Sequence, residues 1–141
     1  MKKVVVLAGS NSKNSINKQL ATYASTKVED AEINILDLND FPVPIYGIDL
    51  ENEAGIPENA EKLSNEIAGS DAIILSLAEH NGSYAAVFKN VFDWMSRIEA
   101  KVWRNKPMLL MASSPGGRGG AGVLGSAKMA YPHQGGNIVG E

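Results

Sequence analysis

Cysteine is missing altogether from this chain of 141 residues. That absence excludes a disulfide framework, a thiolate nucleophile and any cysteine-held metal. Histidine is almost as scarce. His80 and His133 are too few for a histidine-rich centre, so no metal site is expected. A surplus of positive charge is also lacking: lysine and arginine total 13 against 16 acidic residues, for a formal charge of −3. Nucleic acid and anionic membranes need a concentrated basic surface, so neither is expected as a partner. Long apolar runs do not occur. Val4–Ala8 is too short for a signal peptide or a membrane span, and it ends in a turn rather than a cleavage site. A cytoplasmic location and one domain covering 1–141 are the resulting expectations.

Four apolar runs are present, each followed by turn residues and then a helical pattern. Val4–Ala8 and Ala72–Leu77 are apolar on both faces, as strands covered from both sides must be. Ile33, Ile35 and Leu38 mark a weaker strand, and Met108–Ala112 a fourth. Asn137–Val139 reads as an edge strand. Helical patterns run from about Ser15 to Lys27, Pro57 to Ala68, Ser83 to Ile98 and Gly120 to Tyr131. Alternating strands and helices imply a parallel sheet with helices on both faces. Ligands then sit beyond the carboxyl ends of the strands, near the point where the strand order reverses. The long stretch from Asn39 to Gly55, with three prolines and glycines at Pro42, Pro44 and Gly47, is expected to lie partly ordered over the site.

Three loops fall at those carboxyl ends. The first, Gly9 to Asn17, contains Gly9, Ser10, Ser12, Lys13, Ser15, Ile16 and Asn17 and opens a helix. Free backbone N–H groups and a helix dipole favour an anion there, and small hydroxyl side chains add donors. A Walker pattern would need Gly-Lys-Ser/Thr, and the dinucleotide pattern needs three glycines; both are missing. A phosphate monoester such as that of FMN suits what remains, with Ser15 or Asn14 as the helix N-cap. The second loop holds Glu79, His80, Asn81, Gly82 and Ser83; Asn81-Gly82 signals a turn, and Ser83 is placed as the cap of the next helix. The backbone amides and side chains of Glu79, His80 and Asn81 can meet the edge of a flat heterocycle. The third loop contains Ser113, Pro115, Gly116, Gly117 and Gly119, whose glycines allow backbone to approach a ligand face.

The helix from Ser83 to Ile98 carries an unusually wide apolar stripe: Val87, Val91, Trp94, Met95 and Ile98, extended by Tyr84, Phe88 and Phe92. A helix lying on one sheet needs a narrower stripe. The surplus points to a homo-oligomer, dimer or tetramer, with this helix at the contact; deep burial by another helix of the same chain is the competing account.

In this order the features resemble the NADPH-dependent FMN reductase family of flavodoxin-like flavoproteins. The matching residues are Gly9-Ser10 with Ser15 and Asn17, Glu79 with Asn81-Gly82-Ser83, Lys89-Asn90 with Asp93-Trp94 and Ser96-Arg97, and Ser114-Pro115-Gly116-Gly117 with Gly119-Gly120. The resemblance implies a flavodoxin-like three-layer sandwich with a five-stranded parallel sheet, order 2-1-3-4-5. It further implies FMN phosphate in the first loop, the isoalloxazine ring at the second, and the third loop flanking the ring. Three departures stand out. The family pattern has a basic residue where Ser12 stands, and Pro-Glu-Tyr-Asn where this chain reads Ala78-Glu79-His80-Asn81. The chain also stops at Glu141, before the last helix such folds carry beside the first one.

The function implied is an FMN-dependent oxidoreductase that takes hydride from NADPH or NADH and reduces a quinone, free flavin or similar small acceptor. No catalytic side chain is expected, because flavin N5 carries the hydride. The alternative is a non-enzymatic electron carrier of the flavodoxin type, although such carriers are more acidic around the flavin. A phosphorylation-regulated receiver module would need carboxylates where Ala8-Gly9-Ser10 and Ala78-Glu79 end their strands.

Overall fold

The computed structural model describes residues 1–141. Its strands are β1 (Lys2–Gly9), β2 (Ala31–Leu36), β3 (Ala72–His80), β4 (Ser83–Tyr84), β5 (Lys106–Ser113) and β6 (Gly136–Gly140). Five of them make one parallel sheet in the order β2-β1-β3-β5-β6, while β4 pairs antiparallel with the tip of β3. Leaving out the two-residue β4, this is the expected flavodoxin-like order.

Alternation along each strand divides the core. Val5 and Leu7 of β1 and Ile73, Leu75 and Leu77 of β3 join a cluster of 20 buried residues. Their neighbours Val4, Val6 and Ile74 face the other way and pack on Ala21. Helix α1 (Ile16–Ser25) lies on that second face, and it is the only helix there. Ile35 of β2 is 44% exposed and Val139 of β6 is 67% exposed. The other face carries α3 (Glu58–Ala68), α4 (Ala86–Ser96) and α5 (Ala121–Ala130) through Leu63, Ile67, Phe88, Val91, Val123 and Ala127.

Three expectations need correction. Ser83 caps no helix. Asn81 and Gly82 take φ angles of 54° and 78°, and the chain turns back so that Ser83 pairs with His80 and Tyr84 with Glu79. Such paired positive φ values are what a two-residue hairpin demands. The following helix begins at Ala86, with Ala85 at its cap position and no side-chain cap.

The apolar stripe of α4 leaves no surplus surface either. Phe88, Val91, Phe92, Trp94 and Met95 are all buried by this chain itself. Two of those rings pack on Trp103, a fully buried residue of the α4–β5 connection. Trp94 is covered from the opposite side: its indole N–H donates to the Pro44 carbonyl at 2.7 Å, and the Tyr46 ring meets it edge-on at 4.9 Å. The stripe is wide because the helix is buried on two sides, so the surplus-surface argument for an oligomer does not hold.

The stretch from Asn39 to Gly55 accounts for that second covering. It includes an unexpected short helix, α2 (Ile48–Ala54), and runs as a strap along α4. Asn90 donates to Pro44 O and accepts from Tyr46 N, while Arg97 pairs with Glu51.

The carboxyl end of β1 is packed tightly against this layer. A Cβ on Gly9 would stand 2.8 Å from Leu77 Cδ2 and 3.2 Å from the Phe88 ring. Gly9→Ala is therefore expected to cost roughly 1–3 kcal/mol through overpacking, measured by urea unfolding. Full retention of stability would contradict this packing.

Candidate functional site

At the carboxyl ends of β1, β3 and β5 the three loops meet around a cleft of about 250 Å³. The first loop contributes Ser10, Ser12, Asn14, Ser15, Ile16 and Asn17 to its wall. The tip of β3 contributes Ala78, Glu79 and His80, and the third loop Ser113, Ser114 and Pro115. Asn14, Ala78 and Ser114 were not among the expected site residues; the first and last belong to the same amide- and hydroxyl-rich runs as their neighbours.

Other expected residues stand outside the wall. Gly9 ends β1 under the Phe88 ring, and Asn81, Gly82 and Ser83 form the hairpin. Lys13 lines an adjoining groove with Lys18, Gln19 and Tyr23, which shares Asn14 and Ser15 with the cleft. Gly116, Gly117 and Gly119 follow Pro115 as exposed backbone. The strap does not cover the cleft. None of its residues lines the wall, and it touches the first loop where Asn39 Nδ2 donates to Asn11 O at 3.1 Å.

The first loop is organised by its serines. Ser10 Oγ accepts from Ser12 N–H at 3.1 Å, Ser12 Oγ from Asn14 N–H at 3.3 Å, and Ser15 Oγ from Lys18 N–H at 3.1 Å. Each hydroxyl thus spends acceptor capacity on the loop and keeps its proton to donate elsewhere. Ser15 is the N-cap of α1, and the N–H groups of Ile16 and Asn17 have no partner within the chain. Hydroxyl protons, free amides and the positive end of the helix dipole therefore converge on one cleft. No lysine or arginine lines it. The donor set is neutral and fits a phosphate group.

Asn17 has a different part in this than its neighbours. Its side chain is 2% exposed and fully engaged: Nδ2 donates to Ser113 O at 3.1 Å, and Oδ1 accepts from Ser76 Oγ at 2.8 Å. That leaves its backbone N–H as the group offered to an anion. The Glu79 side chain is likewise occupied. Its Oε1 accepts the Val123 N–H at 2.7 Å, in the first turn of α5. The α5 cap position is Gly120, which has no side chain to offer, so a carboxylate from β3 satisfies that turn. A Cβ at Gly122 would lie 2.5 Å from the same oxygen.

Behind the first loop, Lys18 Nζ lies 2.8 Å from Asp37 Oδ2. The hydrogen bond from Lys18, followed by that from the Asn39 N–H, holds the Asp37 carboxyl below its ordinary range.

The sequence matches the pattern of the NADPH-dependent FMN reductase family over residues 2–141, and the chain belongs to that family. It is 34% identical over 129 residues to a quinone reductase of Escherichia coli K12, covering 91% of this chain and 65% of that protein. Against an NADPH:quinone oxidoreductase of Arabidopsis thaliana it is 31% identical over 122 residues, covering 84% of this chain and 61% of the relative. The chain thus spans less than two thirds of the length of these relatives. Among solved structures it is similar to FerB, a flavoenzyme NAD(P)H:(acceptor) oxidoreductase from Paracoccus denitrificans, with a TM-score of 0.79 and 32% identity over 99% of this chain and 75% of that one. An azoreductase from Bacillus anthracis shares the fold, with a TM-score of 0.71 at 19% identity over 98% of this chain and 84% of the other.

Asn17→Ala strands the buried Ser76 hydroxyl and the Ser113 carbonyl, and is expected to cost roughly 2–4 kcal/mol in urea unfolding. Asn17→Asp should lose a similar amount, because its second oxygen then faces the Ser113 carbonyl. An unchanged midpoint for both variants would refute this account of the amide. The lowered Asp37 carboxyl gives a pH signature: its stabilisation is present above the ordinary value of 3.8 and disappears as pH falls through the lower folded value. Lys18→Met should flatten that acid limb, and an identical limb in the variant would show that the pair contributes nothing.

Proposed function

We propose that the chain binds FMN in this cleft and acts as an NAD(P)H-linked oxidoreductase on quinones, free flavin or similar small acceptors. The observation that carries the proposal is the trio of serine hydroxyls, each holding a backbone N–H of the loop or of the first turn of α1 and each left with a proton for an anion. Family membership and the names of the similar proteins support the flavin and the acceptor class.

In this reading Ser10, Ser12 and Ser15, with the amides of Ile16 and Asn17, hold the phosphate. Ala78, His80 and the Ser113–Pro115 backbone border the ring. His80 stands on the cleft wall at the position of the family's tyrosine, and in this reading its imidazole is the side chain nearest in kind to meet the ring edge. Glu79 serves by fixing α5, and with it the end of the glycine loop, to the tip of β3. FMN, when bound, supplies hydride acceptance from the nicotinamide and delivery of one or two electrons to the acceptor. The chain's own part is to hold the cofactor and to leave one side of the cleft open for the second substrate.

The proposal includes the chain acting as one cofactor-binding unit over 1–141, and a cytoplasmic setting where a nicotinamide coenzyme is at hand. No helix is long and apolar enough to cross a membrane. It also includes a homo-oligomer, supported by apolar side chains other than those first considered: Ile45 is 78% exposed and Ile48 51% exposed, on the strap beside α4.

FMN titration tests the phosphate grip directly. Ser12→Arg restores the basic residue of the family pattern and should tighten FMN binding by about tenfold at low salt, since a charge-assisted contact contributes roughly 1.5–3 kcal/mol before screening. Riboflavin, which has no phosphate, should show no gain. Equal gains for both flavins would remove the phosphate from this loop. Anaerobic addition of NADPH or NADH to the FMN-loaded chain should bleach the flavin, whereas failure of both coenzymes would leave an electron carrier instead of an enzyme.

A further inference from the structure

A second cavity, of about 120 Å³, lies between α4, β4 and the turn that follows α5. Aromatic rings make most of its wall: Tyr84, Phe88, Phe92 and Tyr131, with Ala130 and Gln134 completing it. The only charged residue beside it, Lys89, is already paired with Asp93. The wall rings pack on one another and fix the cavity's shape. Tyr84 and Tyr131 are 15° from parallel with centroids 6.2 Å apart, and Phe92 and Tyr131 are 15° from parallel at 5.8 Å.

This cavity is separate from the cleft. Tyr84 pairs with Glu79 in the hairpin, so β4 forms a partition with the cleft beyond β3 and the slot on its other side. The slot also carries unmet polar capacity. Tyr131 Oη and Gln134 Oε1 are buried and have no hydrogen-bond partner. The Tyr84 hydroxyl is near enough to Tyr131 to affect its titration, but the pair lacks good hydrogen-bond geometry. Burial raises both phenols above their ordinary range, so both stay protonated and act as donors.

We propose that this slot is a binding site for a monocyclic phenol, lying behind β4 and independent of the cofactor cleft. Size sets the first limit. An apolar cavity of roughly 150 Å³ accepts benzene, and one of similar size has room for one ring and not for two. Rings that line the cavity favour a flat aromatic guest, with offset or edge contacts to them. Polarity sets the second limit. A phenolic hydroxyl both donates and accepts, so it can accept a hydrogen bond from a tyrosine O–H and donate one to the Gln134 carboxamide oxygen. Rotation of the terminal amide exchanges oxygen for nitrogen, which lets Gln134 meet the hydroxyl in either sense. Hydroquinones, the two-electron, two-proton reduction products of benzoquinones, belong to this class.

The two tryptophans provide a built-in control. Trp103 packs on the slot's walls, with its ring 5.1 Å from Tyr131, whereas the Trp94 indole is held by Pro44 on the other side of α4. Titrating the full chain, without flavin, with phenol should shift the indole N–H resonance of Trp103 and leave that of Trp94 in place. Phenol should bind about fivefold more tightly than toluene, the margin expected from one net hydrogen bond. Ala130→Leu should fill the slot and abolish the shift. Saturation with FMN should leave phenol binding unchanged; this arm reads the slot whether or not the cleft takes a flavin. A static Trp103 signal, equal affinity for toluene, survival of binding in Ala130→Leu, or displacement of phenol by FMN would each overturn the proposal.

Discussion

One buried carboxamide, that of Asn17, joins the three elements from which the cleft is made. It lies in the first turn of α1, accepts from Ser76 in the middle of β3 and donates to Ser113 at the end of β5. The Ser76 bond is buried and the Ser113 bond partly so, and away from water an electrostatic contact is stronger and an unmade one more costly. The direction in which the α1 N-terminus points depends on this anchorage, and so does the placing of the free amides of Ile16 and Asn17. Glu79 makes the complementary tie, from the tip of β3 to the first turn of α5. Two side chains thus hold three loops in register without lining up any charge toward the ligand.

The anion site follows from the same economy of charge. No cation stands on the wall, and the nearby Lys18 is committed to Asp37. In the proposed reading, the grip on a phosphate rests instead on fixed dipoles. Each serine oxygen is pinned by a backbone N–H, which orders the loop before any ligand arrives. Neutral donors of this kind lose little on leaving water compared with a lysine, and their grip is less sensitive to salt.

The far side of the sheet shows that the width of an apolar stripe can have a cause within the chain. The stripe on α4 is as wide as its residues indicate, and Trp103, Tyr131 and the strap through Pro44 and Tyr46 account for that width within the chain. Trp103 belongs to no periodic segment, so nothing local marks it as core. Helix α2 was equally hidden, because it buries no residue and shows no apolar face. Ser83 misled in a different way. A serine just before a helical pattern looks like a cap, but the Asn81-Gly82 turn ahead of it had already directed it into a strand.

Local order was legible because it is written at short range. Alternation and apolar runs mark β1, β3 and β5, the serine at the α1 entrance supplies its cap, and the Asn-Gly pair makes the hairpin. The strand order and the convergence of three loops follow from such units once they alternate. The pairings that make the loops a site were not legible. Asn17 meets Ser113 across 96 positions, and Glu79 meets the α5 amide across 44. A hydrogen bond depends on position and angle in space, and no spacing along the chain encodes either. Residue type and short-range pattern therefore chose the elements and the chemistry on offer, while only the packed fold decided which donors remain free for a ligand and which are spent on holding the cleft together.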